Sequence, residues 1–203
     1  MMTTRSLWLA SASPRRADLL RQIGVPFSRL APPSIDETPA EGEAPGDYVL
    51  RMAREKAATG WARLRDREEA AVLGADTAVV LGDGILGKPA DRDHARHMLE
   101  QLCGAEHRVL SAVSVITQAS HETRLAETLV RVRADARDQI DAYLDTGEPM
   151  DKAGAYAIQG FGAVLVDYIA GSYSAVVGLP LVETRQLLAG AGVAWWQLTG
   201  TRD

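Results

Sequence analysis

The sequence predicts an α/β domain built on a mixed β-sheet flanked by helices. Three observations support this prediction: an apolar strand at residues 7–10 leads into a helical pattern, the apolar run at 72–81 has the length of a buried strand, and residues 109–116 and 125–132 alternate as strands of an antiparallel or mixed sheet do. The chain has 203 residues, 46% of them hydrophobic, which is enough for a substantial core. No linker or internal repeat divides it, so one domain spanning residues 1–203 is expected.

The first elements are a strand, a helix and a second strand. Ser13 stands at the N-cap of the first helix, Pro14 at its first helical position, and Gly24 ends it. A second strand is predicted at residues 27–31, followed by a proline-rich loop at residues 32–39 that carries two adjacent carboxylates.

A long helix and a buried strand come next, and each holds a charged residue in an apolar setting. From Asp47 to Leu64 apolar residues recur with a 3.6-residue period, and Lys56 falls inside that apolar arc, where it must either extend to water or meet an anion. The following strand is broken only by Asp76 and Thr77. A buried carboxylate is costly unless it is paired, hydrogen-bonded or metal-bound, so a functional role is favoured for Asp76.

The second half of the chain continues with alternating elements. In order, they are a hairpin at residues 83–84, a helix capped by Asp91 and closed by Gly104, the two alternating strands, a helix at 138–144, a glycine-punctuated stretch at 151–160, a strand at 163–169 and a helix from Pro180.

The composition argues against several classes of partner. The chain has 22 Lys and Arg against 27 Asp and Glu, a net charge of -5, which disfavours general nucleic-acid binding. Residues 1–30 nevertheless contain five arginines and one aspartate, a local basic region that suits an anionic ligand. Cys103 is the only cysteine, residues 1–5 do not introduce a leader segment, and no stretch approaches a membrane span. A cytoplasmic location without membrane partners is therefore predicted.

Residues 11–16 place hydroxyls, backbone N–H groups and two guanidinium groups at a strand-to-helix junction, which is typical of anion binding. A purely structural interpretation, in which Ser13 caps the helix and the arginines are solvated, stays open. Lys88 is either a turn residue or a second phosphate contact. His94 and His97 share a helix face, but no third ligand lies at zinc spacing.

Two carboxylates, Glu37 and Asp76, accompany these basic residues. The sequence has neither a Gly-Lys-Ser/Thr phosphate loop nor a dinucleotide glycine fingerprint. The set fits magnesium shared with substrate phosphates, and so hydrolysis of a phosphate ester or anhydride.

Six segments in fixed order resemble a known family. They are 11–16 (SASPRR), 36–38 (DET), 54–57 (REKA), 74–77 (GADT), 87–89 (GKP) and the pair 171–173 (GSY) and 178–181 (GLPL). Together they resemble the Maf nucleotide pyrophosphatases, over about residues 7–188. Trp195 and Trp196 lie outside the match and either pack on the core or meet a partner subunit.

The resemblance implies an elongated, ITPase-like α/β fold with a central cleft between two lobes. It also implies hydrolysis of a nucleoside triphosphate to the monophosphate and pyrophosphate, a required divalent metal such as Mg²⁺ or Mn²⁺, and a homodimer. Asp76 would accept the proton of a water that attacks the α-phosphorus, with Lys56 and Glu37 completing the catalytic set. The metal would lie near Glu37 and Asp76. Ser11, Arg16 and Lys88 match positions that line the cleft.

The resemblance further separates two branches of the family, at Arg15, Thr77 and Gln159. This chain resembles the branch that acts on dTTP and UTP, whereas the branch acting on 7-methyl-GTP tends to carry an aromatic residue, glutamine and glutamate there. A glutamine amide offers both a donor and an acceptor, which suits the N3–H and carbonyl edge of uracil and thymine. On residue type alone, Gln159 could instead bond local backbone.

Two other functions stay open. One is a pyrophosphatase for 7-methyl-GTP or non-canonical purine triphosphates. The other is a non-catalytic, nucleotide-binding regulator of septum formation.

Overall fold

The computed structural model describes residues 5–32, 34–64 and 68–196. Residues 1–4, where no leader is predicted, and Pro33 of the proline-rich loop lie outside the described residues. The described strands are β1 (Ser6–Leu9), β2 (Phe27–Arg29), β3 (Ala70–Leu81), β4 (Gly84–Leu86), β5 (Glu106–Ile116), β6 (His121–Val132) and β7 (Val166–Ala170). The described α-helices are α1 (Pro14–Gln22), α2 (Pro45–Ala62), α3 (Arg92–Leu102), α4 (Ile140–Asp145), α5 (Tyr173–Val177) and α6 (Leu181–Gly190).

The strands form one seven-stranded mixed sheet. Its order is β2-β1-β3-β5-β6-β7, and β4 pairs with β3 off this path. β1 is parallel to both β2 and β3, whereas the pairs β3–β5, β5–β6 and β6–β7 are antiparallel. The predicted mixed sheet flanked by helices is confirmed.

Successive residues of β3 face opposite sides of this sheet, as the pleat requires. Ala78 and Val80 pack with Val49 and Ala53 of α2 on one side. Leu73 belongs to the core cluster that contains the buried residues of α1 and α6, on the other side. Asp76 and Thr77, which are consecutive in β3, therefore point to opposite faces of the sheet.

Helix α2 lies unusually close to β3. A Cβ at Gly74 would stand 2.4 Å from the backbone nitrogen of Ala57 and 2.6 Å from the carbonyl oxygen of Ala53. A Cβ at Gly60 would stand 2.8 Å from that of Ala10. Glycine at these two positions lets the helix backbone touch the sheet.

Several element boundaries differ from the predictions. β2 ends at Arg29, and α2 runs from Pro45 to Ala62. The predicted strand at 163–169 begins three residues too early, because Gly160–Leu165 is a 3₁₀ helix and β7 runs from Val166 to Ala170. Gly160 has a φ of 68°, a left-handed conformation that ends extended structure.

Other features of the fold bear on the predictions for the C-terminal half. α5 was not predicted, and residues 134–139 form a 3₁₀ turn before α4. Trp195 packs against the core cluster that contains Leu73 and the buried residues of α1 and α6, whereas Trp196 is 73% exposed. None of the helices in the described ranges combines the length and apolarity needed to span a bilayer.

Candidate active site

One cleft of about 610 Å³ brings together the nine residues predicted to bind or act on the substrate. Its lining includes Ser11, Arg15, Arg16, Glu37, Lys56, Asp76, Thr77, Lys88 and Gln159. These residues come from the ends of β1 and β4, the first turn of α1, the proline-rich loop, α2, β3 and the glycine-punctuated stretch.

The centre of the cleft is a lysine that binds two carboxylates. The Lys56 ammonium donates a 2.7 Å hydrogen bond to Oδ1 of Asp76 and lies 2.7 Å from Oε1 of Glu37. The side chains of Lys56 and Asp76 are 11% and 12% exposed, whereas that of Glu37 is 56% exposed. The buried charges therefore neutralise each other, and Glu37 joins them from the solvent side.

Local structure explains why these three side chains meet. Lys56 lies on the apolar face of α2 that packs on β3, and Asp76 points from β3 toward that helix. Glu37 is held in its loop because the Tyr48 hydroxyl donates a 2.9 Å hydrogen bond to the Glu37 carbonyl. Tyr48 lines the cleft and was not predicted. Its place in the cleft could have been predicted from the sequence, because Tyr48 precedes Lys56 by eight residues and so lies on roughly the same side of α2.

The charges of this group affect the neighbouring titrations. Partial burial opposes ionisation of Glu37, but the hydrogen bond and the charge of Lys56 outweigh it and lower the pKa of this carboxyl. Burial, and then the negative charges of Asp76 and Glu37, raise the pKa of Tyr48 to about 12. At neutral pH Glu37 is therefore an anion and Tyr48 a hydrogen-bond donor.

Arg16 is fixed by neutral oxygens from three parts of the fold. Its Nε donates to the Gly178 carbonyl at 2.8 Å, its Nη1 to Ser11 Oγ at 3.2 Å and its Nη2 to Thr77 Oγ1 at 3.4 Å. Burial lowers the pKa of Arg16, but a guanidinium stays protonated at neutral pH. Because these acceptors are uncharged, they orient the cation without neutralising it.

Ser11, rather than Ser13, bonds the backbone at this junction. Ser13 has the backbone position of an N-cap but makes no capping hydrogen bond among the described residues. Instead, the Ser13 N–H donates to Ser11 Oγ at 3.2 Å. The N-terminus of α1 thus opens into the cleft, where its dipole favours an anion.

Thr77 projects to the opposite face of β3 from Asp76. The hydroxyls of Thr77 and Ser111 are 2.5 Å apart, and Ser111 donates onward to the Ala175 carbonyl at 2.9 Å. This chain of hydroxyls fixes the side chain that accepts from Arg16. Ser111 is fully buried and was not predicted.

Three predicted residues lie nearer the solvent. Arg15 forms a 3.8 Å ion pair with Asp151, and both Lys88 and Gln159 are exposed. Lys152, which was not predicted, also lines the cleft and donates to the Glu148 carbonyl at 3.3 Å.

The cleft is cationic although the whole chain is acidic. Its lining carries the cationic side chains of Arg15, Arg16, Lys56, Lys88 and Lys152 against the carboxylates of Glu37, Asp76 and Asp151. An excess of positive charge in a concave site attracts a polyanion such as a triphosphate.

The carboxylates fit a shared metal better than a resident one. No group of three or more His, Cys, Asp or Glu side chains within the described ranges is arranged to hold a metal ion. Glu37 and Asp76 provide two oxygen-bearing ligands close to one point, the Lys56 ammonium. Mg²⁺ is commonly held by one or two carboxylates together with substrate phosphates. The residues present therefore suit a divalent cation that a phosphate helps to bind.

The fold and the site define an α/β protein with a cationic cleft and a lysine-bridged carboxylate pair. A family model described as "Maf-like protein" matches residues 6–191. The chain belongs to the Maf family.

Curated relatives match this chain along nearly its whole length. A dTTP/UTP pyrophosphatase of Alcanivorax borkumensis is 55% identical over 192 residues, covering 95% of this chain and 98% of that protein. A dTTP/UTP pyrophosphatase of Shewanella oneidensis is 52% identical over 193 residues, covering 93% and 99%. A solved HAM1 protein from Coxiella burnetii aligns over 81% of this chain and 82% of that one, with a TM-score of 0.45 and 16% identity, and at that level it adds nothing to the assignment.

Proposed function

We propose that this protein is a nucleoside triphosphate pyrophosphatase that hydrolyses dTTP and UTP to the monophosphate and pyrophosphate. The observation that carries the proposal is the Glu37–Lys56–Asp76 group inside a cationic cleft. The dTTP/UTP pyrophosphatases at 55% and 52% identity support the same activity and substrate class.

In the proposed reaction, a water oxygen attacks the α-phosphorus and the bond from that phosphorus to the α–β bridging oxygen breaks. Asp76 accepts the proton of the attacking water, and pyrophosphate leaves on the bridging oxygen. Lys56 orients Asp76 through their 2.7 Å hydrogen bond. Arg16, held by three neutral acceptors, offers its positive charge to the phosphates.

Glu37 and Asp76 are the residues proposed to hold a divalent cation, Mg²⁺ or Mn²⁺. When bound, such an ion neutralises charge on the phosphate oxygens and so assists departure of pyrophosphate. Tyr48 supports this role by bonding the Glu37 backbone and leaving its carboxylate to face the cleft.

Base selection is proposed to depend on Arg15, Thr77 and Gln159. The Thr77 hydroxyl is bonded to Arg16 and Ser111, so it shapes the pocket wall. Gln159 is exposed at the cleft, where its amide can meet the edge of a pyrimidine.

The decisive test is a panel of triphosphates with product identification. With Mg²⁺ or Mn²⁺, we expect release of pyrophosphate from dTTP and UTP at higher kcat/KM than from purine triphosphates. Fastest cleavage of 7-methyl-GTP or of a non-canonical purine triphosphate would overturn the substrate assignment. Binding of dTTP without any release of pyrophosphate would favour the regulator of septum formation instead.

Two further expectations belong to this proposal. The cytoplasm is the expected location because nucleoside triphosphates are held there, and a homodimer is the expected assembly. Light scattering during size-exclusion chromatography measures the assembly directly, and a monomeric mass at working concentration would contradict it.

A further inference from the structure

The segment that carries Gln159 is held at both ends by side chains outside the site described above. Gln159 lies between Ala157 and Phe161, in a stretch that lines the cleft. At the first end, the Ala157 N–H donates to the Tyr143 hydroxyl at 3.1 Å.

At the second end, one carboxylate accepts two consecutive backbone donors. The Phe161 N–H donates to Oε2 of Glu148 at 3.0 Å, and the Gly162 N–H donates to Oε1 at 2.9 Å. The Tyr143 hydroxyl donates to the same Oε1 at 2.9 Å. Glu148 therefore joins both ends of the segment, directly at one end and through Tyr143 at the other.

The glycines of the segment are shaped to this arrangement. A Cβ at Gly160 would stand 2.2 Å from Oε2 of Glu148, and a Cβ at Gly162 would stand 2.6 Å from the Tyr143 hydroxyl. Gly160 also has a φ of 68°. The backbone that follows Gln159 thus runs close to the Glu148 carboxylate and the Tyr143 hydroxyl.

We propose that Glu148 is a positioning residue for base selection, acting through Gln159. This inference rests on the proposed function. Its carboxylate fixes residues 157–162 so that the Gln159 amide is presented to the base before substrate arrives. Glutamine in place of Glu148 would keep one acceptor oxygen but would turn its amide N–H₂ toward a backbone N–H donor. Residues 157–162 would then lose their fixed position.

The kinetic test compares Glu148→Gln with a matched carboxylate outside the network. Asp145→Asn is the control, because Asp145 is 70% exposed and bonds Arg92 at 2.6 Å. We expect Glu148→Gln to raise KM for dTTP about tenfold while kcat stays within about threefold, and to reduce the dTTP-over-dGTP ratio of kcat/KM. Asp145→Asn should change neither.

A double-mutant cycle separates positioning from a general structural effect. If Glu148 acts through Gln159, Glu148→Gln should add little to the KM of Gln159→Ala. The same fold increase in both backgrounds, or an unchanged KM in the single variant, would overturn the proposal. Tyr143→Phe, which removes the hydroxyl between Glu148 and Ala157, should shift KM in the same direction and serves if Glu148→Gln does not fold.

Binding of a non-hydrolysable dTTP analogue distinguishes this proposal from the function it rests on. The activity alone would be refuted if the wild type binds the analogue but releases no pyrophosphate, while the Glu148 and Gln159 substitutions have non-additive effects on binding of the analogue. The positioning role alone would be refuted if the wild type releases pyrophosphate but the effects of the Glu148 and Gln159 substitutions on binding are additive. Failure of wild type to bind the analogue would refute both.

Discussion

Lys56 contacts Asp76 and Glu37 with one ammonium group, so the same cation orients both carboxylates. A buried charged side chain costs free energy unless an opposite charge or hydrogen bonds compensate for the lost water. Here two carboxylates stand against the same cation, one buried and one open to solvent. The buried carboxylate is the better placed to accept a proton away from bulk water.

Asp76→Asn is expected to lower kcat for pyrophosphate release from dTTP by about 10²- to 10⁴-fold, the usual contribution of a general base. The amide oxygen can still accept from Lys56, and Glu37 still pairs with that ammonium, so the variant should keep its fold despite losing one charge of a buried ion pair. Asp83→Asn, an exposed change in the turn after β3, is the control and should retain wild-type turnover. Near-wild-type release by Asp76→Asn would remove Asp76 from the role of base.

Sequence reasoning reached the charged residues of the cleft but not their hydrogen-bond partners. A lysine and an aspartate within apolar stretches stand out in the sequence, because burying a charge without a partner costs free energy. Tyr48 and Ser111 are ordinary residues for a helix and a strand, so only three-dimensional proximity shows their roles. Glu148 was also missed, because its bonds to two backbone N–H groups and to the Tyr143 hydroxyl leave no pattern in the sequence.

At the scale of elements, the contact between α2 and β3 sets the position of Lys56. Gly74 lies two residues before Asp76, where α2 comes within van der Waals contact of the strand backbone. Any side chain there must push the helix outward and draw Lys56 away from Asp76.

Gly74→Ala should therefore reduce stability and turnover together. Overpacking of this kind typically costs about 1–3 kcal/mol in the free energy of unfolding. Gly190→Ala in α6 is the matched control, because a Cβ there meets nothing within 4 Å, and it should be neutral or slightly stabilising. Urea denaturation measures both variants, and an unchanged midpoint for Gly74→Ala would contradict the close approach.

Elements with a clear period were predictable, and those set by tertiary contacts were not. The apolar arc of α2 and the runs of β3, β5 and β6 reflect burial on a sheet, which leaves a periodic pattern. The predicted strand includes residues 163–165 because a short apolar run does not by itself distinguish a strand from a helical turn. The carboxylate of Glu148, accepting from Phe161 and Gly162, favours the 3₁₀ turn there.

At the scale of the whole molecule, one sheet carries all the core clusters. Residues of β3 belong to each of the three clusters, so loss of this strand would disrupt them together. We therefore predict that the chain unfolds as a single domain in one cooperative transition. Circular dichroism and tryptophan fluorescence should give the same midpoint, and two separated midpoints would show independent units.

His107 makes the stability of the whole molecule depend on pH. It is 2% exposed, its Nε2 forms a 2.7 Å hydrogen bond with the Tyr156 hydroxyl, and its Nδ1 has no partner among the described residues. Burial lowers the pKa of His107 from 6.5 to about 4. The folded state thus keeps this imidazole neutral at a pH where the unfolded chain protonates it.

Keeping His107 neutral costs the folded state nothing above pH 6.5, where the unfolded chain is neutral there too. As the pH falls toward 4, the free energy of unfolding decreases by about 3 kcal/mol, because only the unfolded chain binds this proton. His107→Gln should flatten this part of a stability-against-pH curve measured by urea denaturation. His97→Gln, on the exposed side of α3, should leave the wild-type curve unchanged. Equal slopes for wild type and His107→Gln would contradict the assignment.

The parallel pairing of β1 with β3 also governs when activity can appear during refolding. Leu7 pairs with Ala71 and Leu9 with Leu73, so these partners are separated by a whole helix–strand–helix segment of chain. Contacts between such distant residues form slowly, because a long loop must close first. Arg16 and Asp76 lie together only after this closure. Recovery of turnover after dilution from denaturant should therefore lag behind recovery of helix, and an assay of product release would time the completion of the native state.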